Sequence, residues 1–434
     1  MEFLSEHVIP PTGHYLDLLQ VLAVIIYLIH LPYVGIAIGS TILSMWLTFR
    51  DREIPDSNFA RFAGELVDTF LGNKYAMLVL GIFPLLTLPF IYAQWFAGLD
   101  ATPIHYIPLA IPGVAVGMAL LFFYRASYPA RATNFGTHML FGAGGVLVLL
   151  GSYFLLMCAT GRLHDPEKWF RVTNVLIMVL NWNVIWKFLF FVHASIAITG
   201  GAVLFFFFRW PRKGLAPADA DYTAFVRKFA GGIAIAFTFS LPVWYLFYIF
   251  TTPDVAFDKG VYVLAAALVL VAMITAFVLL SVLASSRPRW GTTTFTLFLV
   301  IFALMNIVDQ RAMVNANQEH AALLTIEHEK EKAEREAEIE AVMAKQSGAD
   351  VGKETFEGVC MQCHRFDEKL VGPPLNAVLP NYAANPEALR QFLANPTKRN
   401  PDYPPMPNPG LTKAQINAVA EYVLSQLESE SGGQ

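Results

Sequence analysis

Charged residues are few in this sequence. Asp, Glu, Lys and Arg make up 15% of 434 residues, against 55% hydrophobic residues and 35 Phe. A water-soluble chain of that size would be left with apolar surface over most of its exterior, so the expected surroundings are a lipid bilayer. Cysteine is scarce as well: only Cys158, Cys360 and Cys363 occur, and Cys158 lies in an apolar run, which excludes a disulfide-stapled scaffold. Lys and Arg (30) do not outnumber Asp and Glu (34), so the chain has no basic footprint for nucleic acid, and its acidic balance comes mostly from the C-terminal part. Met1 to Gly13 lacks a basic cluster, and the apolar run after it is too long and has no small-x-small cleavage site, so no cleavable signal peptide is expected. Also missing is a carboxylate in the middle of any apolar run. Asp17 and Asp309 fall at the outer ends of theirs.

What is present begins with Cys360-Met-Gln-Cys-His364, the spacing of a c-type haem attachment site, in which two thiols add to the haem vinyl groups and the histidine becomes an axial ligand. The alternative for such a pair is a zinc or redox site, and there is no second cysteine pair to complete one. Met406, in Tyr-Pro-Pro-Met-Pro, is the candidate for the second axial position, because a thioether raises the iron potential relative to a second imidazole. Gly372-Pro-Pro-Leu375 reads as a rigid turn that covers the porphyrin edge. From about Gly352 to Ser425 the sequence resembles a class I cytochrome c domain. That resemblance implies one covalent haem c, attached outside the bacterial cytoplasm.

Upstream, eight apolar runs are long enough to cross a bilayer: Leu16 to Phe49, Ala76 to Leu99, Ile104 to Tyr124, Asn134 to Ala159, Asn183 to Phe208, Phe229 to Thr252, Val261 to Leu283 and Thr292 to Val308. The expected fold is all-α: a transmembrane bundle over 1–314, a charged helical linker over 315–347 and a small α-helical haem domain over 348–434. An even number of spans puts both termini on one side, the outer side if the haem is attached there. Charge gives an independent check. Connections on the expected inner side carry 13 basic residues: Arg50, Arg52, Arg61, Lys74, Arg125, Arg131, Arg209, Arg212, Lys213, Arg227, Lys228, Arg287 and Arg289. Those on the outer side carry 4: Arg162, Lys168, Arg171 and Lys259. The protein is therefore expected in the inner membrane, with the N-terminus and the haem domain on the periplasmic side.

The longest outer connection, Thr160 to Asn181, has Trp169, Phe170 and Trp182 and reads as an interfacial segment and docking surface. Asn315 to Gln346, rich in Ala, Glu and Lys, reads as a solvated helix supported by pairs such as Glu331 with Arg335, with His320 and His328 at its surface. Ser347-Gly-Ala ends it.

Three histidines, His30, His138 and His193, fall within apolar spans, where an ionisable group is a functional-site candidate by default. Either they ligate haem b or they are neutral imidazoles bonded between helices. At 1.5 Å per helical residue His30 and His193 lie at comparable depths, about 18 and 15 Å from the outer boundary, and His138 about 6 Å from the inner one. Ala197 and Gly200 follow His193, and Gly142 and Gly145 follow His138, on the same helical faces. Small residues there suit either a flat porphyrin or close helix packing. Met273 has a thioether at similar depth, to be weighed against simple packing.

Leu-Ile-His30-Leu-Pro-Tyr-Val-Gly, Asn58-Phe-Ala-Arg-Phe-Ala-Gly and Lys187-Phe-Leu-Phe-Phe-Val-His193-Ala-Ser-Ile-Ala-Ile-Thr-Gly resemble subunit I of cytochrome bd quinol oxidases over roughly the first 250 residues. The resemblance implies one or two haems b, with His193 matching the low-spin haem ligand and His30 the first-helix ligand. It implies other membrane subunits of a respiratory complex and possible contact with quinone. The Gln-rich quinol loop and the Gly-Arg-Gln-Pro-Trp signature of that family are missing, so electron transfer between membrane haem b and outer haem c is expected ahead of oxygen reduction or a mere membrane anchor. The expected outer partner is a soluble c-type cytochrome or a periplasmic oxidoreductase.

Overall fold

A computed structural model describes residues 13–54, 57–99, 101–171, 175–179, 181–209, 220–285, 290–345 and 348–431. Arg212, Lys213, Arg287, Arg289, Ser347 and Met1 to Thr12, used in the readings above, lie outside the described residues, and nothing is described of the Phe170 side chain. All regular structure in the described residues is helical, and the chain divides into two units, Met1–Ile326 and Glu327–Gln434.

In the first unit, backbone amides and carbonyls surrounded by lipid have only each other as partners, so apolar runs of this length become helices. The elements are α1 (Gly13–Glu53), α2 (Ser57–Leu71), α3 (Lys74–Gly81), α4 (Phe83–Trp95), α5 (Ile107–Ser127), α6 (Phe135–Arg162), the short α7 (Val175–Val179), α8 (Trp182–Phe206), α9 (Ala220–Thr251), α10 (Lys259–Ser285) and α11 (Trp290–Ala316). Eight stretches are long and apolar enough to cross a membrane, with α3 and α4 together making the second. This is a multi-pass membrane protein. Leu140, Leu147, Phe250 and Phe277 lie on the outside of the bundle, each more than two-thirds exposed, as a surface facing lipid requires.

Helix α8 is at the centre. Its spanning stretch is the most buried of the eight, and it packs on α1, α6, α9 and α11. Small residues permit this. A Cβ at Gly39 of α1 would run into Thr199 and the Ser195 carbonyl of α8, and one at Gly200 into the Ala230 carbonyl of α9 at 2.5 Å. Gly142 lies against Met45 and Tyr124, and Gly145 against Leu121. Gly142, Gly145 and Gly200 thus stand at close helix contacts.

Three expectations change at the end of the bundle where the last span stops. The last span continues to Ala316, so Asp309 lies seven residues inside α11, about 10 Å from its end, instead of just past it. Asp309 is buried, at 6% exposure. His320, expected at the surface, stacks on Phe96 with ring centroids 6.1 Å apart, and Trp169, expected at the interface, is buried with its indole donating to the Arg162 carbonyl at 3.0 Å. Trp182 is exposed, in keeping with an interfacial position.

Helix α12 (Gln318–Lys345) starts in the first unit and ends in the second; from Lys330 to Val342 its side chains are exposed, with Lys330 and Glu334 paired at 3.8 Å. The second unit continues with α13 (Gly348–Val359), α14 (Leu375–Val378), α15 (Pro380–Ala383), α16 (Pro386–Ala394) and α17 (Lys413–Ser431). Its first and last helices, α13 and α17, cross closely at Gly352, where a Cβ would strike the Ala418 carbonyl. Phe356, Leu379, Leu389, Val419, Ala420 and Val423 form the core between these helices.

Candidate functional site: a haem c cradle and buried polar groups of the bundle

The Cys360 to His364 segment leaves α13 through a single tight turn. The amides of Cys363 and His364 both donate to the Cys360 carbonyl, at 3.1 and 2.9 Å, and the Cys363 carbonyl accepts from Val371 and Gly372. Two thiols and an imidazole are thereby held within one turn of chain. The Nδ1 of His364 lies 3.2 Å from the Pro373 carbonyl, so an Nδ1–H donates there and Nε2 keeps its lone pair, the arrangement that orients a metal-binding imidazole. Gly372 is required by the same ring, since a Cβ there would fall on the imidazole itself.

Cys360, Met361, Phe366, Leu375, Met406 and Leu411 pack against the core yet remain half-buried. That leaves an apolar cradle with a histidine, a methionine and two thiols on it, and these residues fit a covalent haem. Cys360 and Cys363 would attach it, and His364 and Met406 would hold its iron. Burial, and then the neighbouring Cys363, push the Cys360 thiol above its ordinary range, the reverse of the thiolate-favouring setting of a redox Cys-x-x-Cys pair. Among the described residues no cluster of His, Cys, Asp and Glu completes a zinc site around them.

Residues 349–426 match the family model of cytochrome c. This unit is the protein's cytochrome c domain. Comparison with the curated proteins and with the solved structures gives no match.

Within the bundle the structure does not bring the candidate histidines together. His30 of α1 has Nδ1 at 2.8 Å from the Leu80 carbonyl and Nε2 on the Tyr153 hydroxyl, so both ring nitrogens have partners. His138 of α6 stacks on Tyr124 at 4.3 Å between centroids; its Nδ1 meets Ser127 at 2.8 Å, and its buried Nε2 has no partner. His193 of α8 donates from Nδ1 to the Leu189 carbonyl at 2.8 Å, one helical turn back, and faces Phe237 and Trp244 of α9. Met273 points away from the bundle, at 60% exposure, and meets none of the three.

A fourth polar centre was not singled out from the sequence. Lys187 of α8 donates to Asp309 of α11 at 2.6 Å, and Tyr248 of α9 donates to the same carboxylate oxygen at 2.9 Å. His164, in the turn after α6, donates from Nε2 to the Asp309 backbone carbonyl at 3.1 Å and stands 3.6 Å from its carboxylate. All are buried except for a few per cent of surface. Losing one member of such a pair leaves a charge without compensation and costs about 3–5 kcal/mol. The available signal was one cation and one anion, each a few residues from the end of a separate apolar span. A span taken to end at Val308 hid it.

Proposed function

We propose that this protein is a membrane-bound b/c-type cytochrome, passing electrons between haem b in the bundle and haem c in the C-terminal domain. The reading carries the domain division 1–314, 315–347 and 348–434. It puts the protein in the bacterial inner membrane with the N-terminus and the cytochrome c domain on the periplasmic side. The 13 to 4 distribution of basic residues and the extracytoplasmic attachment of haem c support that orientation. Arg125 bonds Asp68 at 2.8 Å and Phe59 packs on Phe225, so the basic ends of α5 and α9 and the α2 segment share one end of the bundle.

The observation that carries the haem b reading is His193. Its Nδ1 is committed to the Leu189 carbonyl while Nε2 has no hydrogen-bond partner among the described residues, the state an imidazole needs to ligate iron. Haem b, when bound, supplies the reversible one-electron step; the chain supplies the ligand, the apolar wall of Phe237 and Trp244 and exclusion of water. His138, with its unpartnered Nε2, is the second candidate, and His30 the third because both of its nitrogens are engaged. The inner partner is quinol or another membrane subunit of a respiratory complex, and the outer partner a soluble c-type cytochrome or periplasmic oxidoreductase. A second reading, an oxidase subunit similar to cytochrome bd with a fused cytochrome c, gains from Asp309, an acid inside a span that oxygen chemistry can use for protons.

A pyridine haemochrome assay on the purified full chain tests the proposal. A ratio of one or two haems b per haem c is expected, and haem c alone would reduce the bundle to an anchor. Carbon monoxide binding by a high-spin bundle haem would favour the oxidase.

A further inference from the structure

The buried cluster does more than join helices. His164 is neutral in the arrangement described, because it donates from Nε2, and this leaves an Nδ1 lone pair that is buried, unpartnered and 1% exposed as a residue. Such an atom is either a costly vacancy or a place for a proton. A carboxylate stands 3.6 Å from the ring to compensate the charge if a proton arrives. Beside Lys187 there is a cavity with room for about one water molecule, bounded also by Asn306, Met157 and Phe191. Next to Asp309 in the chain, Gln310 donates to the Tyr92 hydroxyl at 3.0 Å, and Tyr92 shares a hydrogen bond of 3.2 Å with Tyr27. Tyr27 lies one helical turn before His30.

We propose that His164, Asp309, Lys187 and Tyr248 form a proton-exchange site at the end of the bundle opposite the basic loops, beside the Gln310, Tyr92 and Tyr27 hydrogen bonds that run to the turn of α1 before His30. For each electron the bundle accepts from a reduced donor of the quinol class, which releases its own proton to water where it is oxidised, His164 takes one separate proton from outer water onto Nδ1. When the electron leaves toward the cytochrome c domain, the proton returns. The inference rests on the b/c-type reading for its electron, while the proton site stands on the cluster alone.

The groups around His164 set when it is charged. Burial, first, and the Lys187 cation hold it below the ordinary histidine range, and the Asp309 carboxylate pulls the other way. Tyr248 bonds the carboxylate from α9, and Tyr245 and Tyr27 stand around it. Arg162, two residues earlier, turns aside to the Ile177 carbonyl. An added negative charge in the bundle therefore tips a balanced site toward protonation.

The test uses the full chain in lipid nanodiscs, as wild type, His164→Gln and Tyr92→Phe, with haem content checked by haemochrome. Infrared difference spectra between high and low pH should show a histidine ring band and a carboxylate band changing together in the wild type and in Tyr92→Phe. Both changes should be lost in His164→Gln. An unchanged carboxylate response in His164→Gln overturns the proton site. The bundle haem's midpoint potential should fall with rising pH in the wild type and lose at least half of that slope in His164→Gln. Equal slopes overturn the coupling even where the infrared changes appear. A chain that holds no haem b fails the functional reading and the coupling, whereas the infrared result still decides the proton site.

Discussion

In the cytochrome c domain the two thiols and the histidine that would hold the cofactor fall within five consecutive residues, whereas the buried histidines of the bundle are spread over α1, α6 and α8 in three separate settings. On the proposed b/c-type reading, the difference follows from how each region would retain a haem. A small domain with few core residues has little apolar interior in which to enclose a porphyrin, and covalent attachment would make up for that. Covalent chemistry needs a fixed local spacing, which is legible as a motif. A lipid-embedded bundle retains a cofactor by burial, and burial is assembled from residues far apart in sequence. The same contrast applies to charge. Exposed pairs such as Asp258 with Arg311 are ordinary surface features, while Lys187 and Asp309 are deep, and each depends on the other.

Replacing both Cys360 and Cys363 by Ala should have the largest effect of any change on this contrast. Haem c should be lost from the chain, and the half-buried cradle of Leu375, Met406 and Leu411 should be left open, so that the domain becomes protease-sensitive. The absorbance of haem b should persist; its disappearance as well would break the independence of the two regions. Next comes His193→Ala. A ligand lost within lipid has no water-rich substitute, so one haem b should be missing from the reduced spectrum while the haem c band keeps its full height. Retention of all haem b absorbance would return His193 to a packing role worth about 1–2 kcal/mol.

Met406→Ala keeps the covalent link and removes the thioether. The haem c potential should drop by roughly a few tenths of a volt, within the ~0.8 V range that axial ligands command. Exogenous imidazole should then bind, and an unaltered potential assigns the sixth ligand elsewhere. Gly372→Ala is a subtler probe of the same iron, because the added methyl must displace the His364 ring. A high-spin fraction should appear in its spectrum at room temperature, and a wild-type spectrum would show that the turn yields instead.

The smallest effect is expected from Asp258→Asn. The guanidinium of Arg311 holds the Asp258 carboxyl down at about 2, against about 3.9 for an unperturbed aspartate. The pair's contribution is therefore present above about pH 4 and is lost as pH falls through about 2. At pH 7 the substitution should cost less than about 1 kcal/mol, because both groups face solvent. The difference in thermal unfolding between variant and wild type should vanish near pH 2. A larger loss at pH 7 would mean that this surface pair behaves like the buried one.

The number and order of the spanning helices and the cytochrome c domain were legible in the sequence because each rests on local information: unbroken apolar runs that must satisfy their own backbone, and a covalent attachment spacing. The boundary of the last span was misjudged for the same reason. Asp309 and Gln310 look like the start of a polar segment when read along the chain, and only their partners on α8, α9 and α4 explain why the helix continues through them. His320 and Trp169 were misjudged alike, since a polar or amphipathic segment does not reveal which of its rings finds a buried neighbour.

The sequence by itself determined that this chain is a multi-pass membrane protein, that it has eight helices long and apolar enough to cross a bilayer, and that residues 349–426 form a domain of the kind that carries covalent haem. Hydropathy and spacing are properties of neighbouring residues. Only the tertiary structure decided that Met273 faces outward, that His30, His138 and His193 do not converge, and that Lys187, Asp309, Tyr248 and His164 do. Those outcomes depend on the rotation of each helix about its axis and on its close approach to the next, set by contacts such as Gly39 on Thr199 and Gly200 on Ala230. Helix rotation is fixed when small residues on different spans meet, and that meeting is a property of the packed bundle.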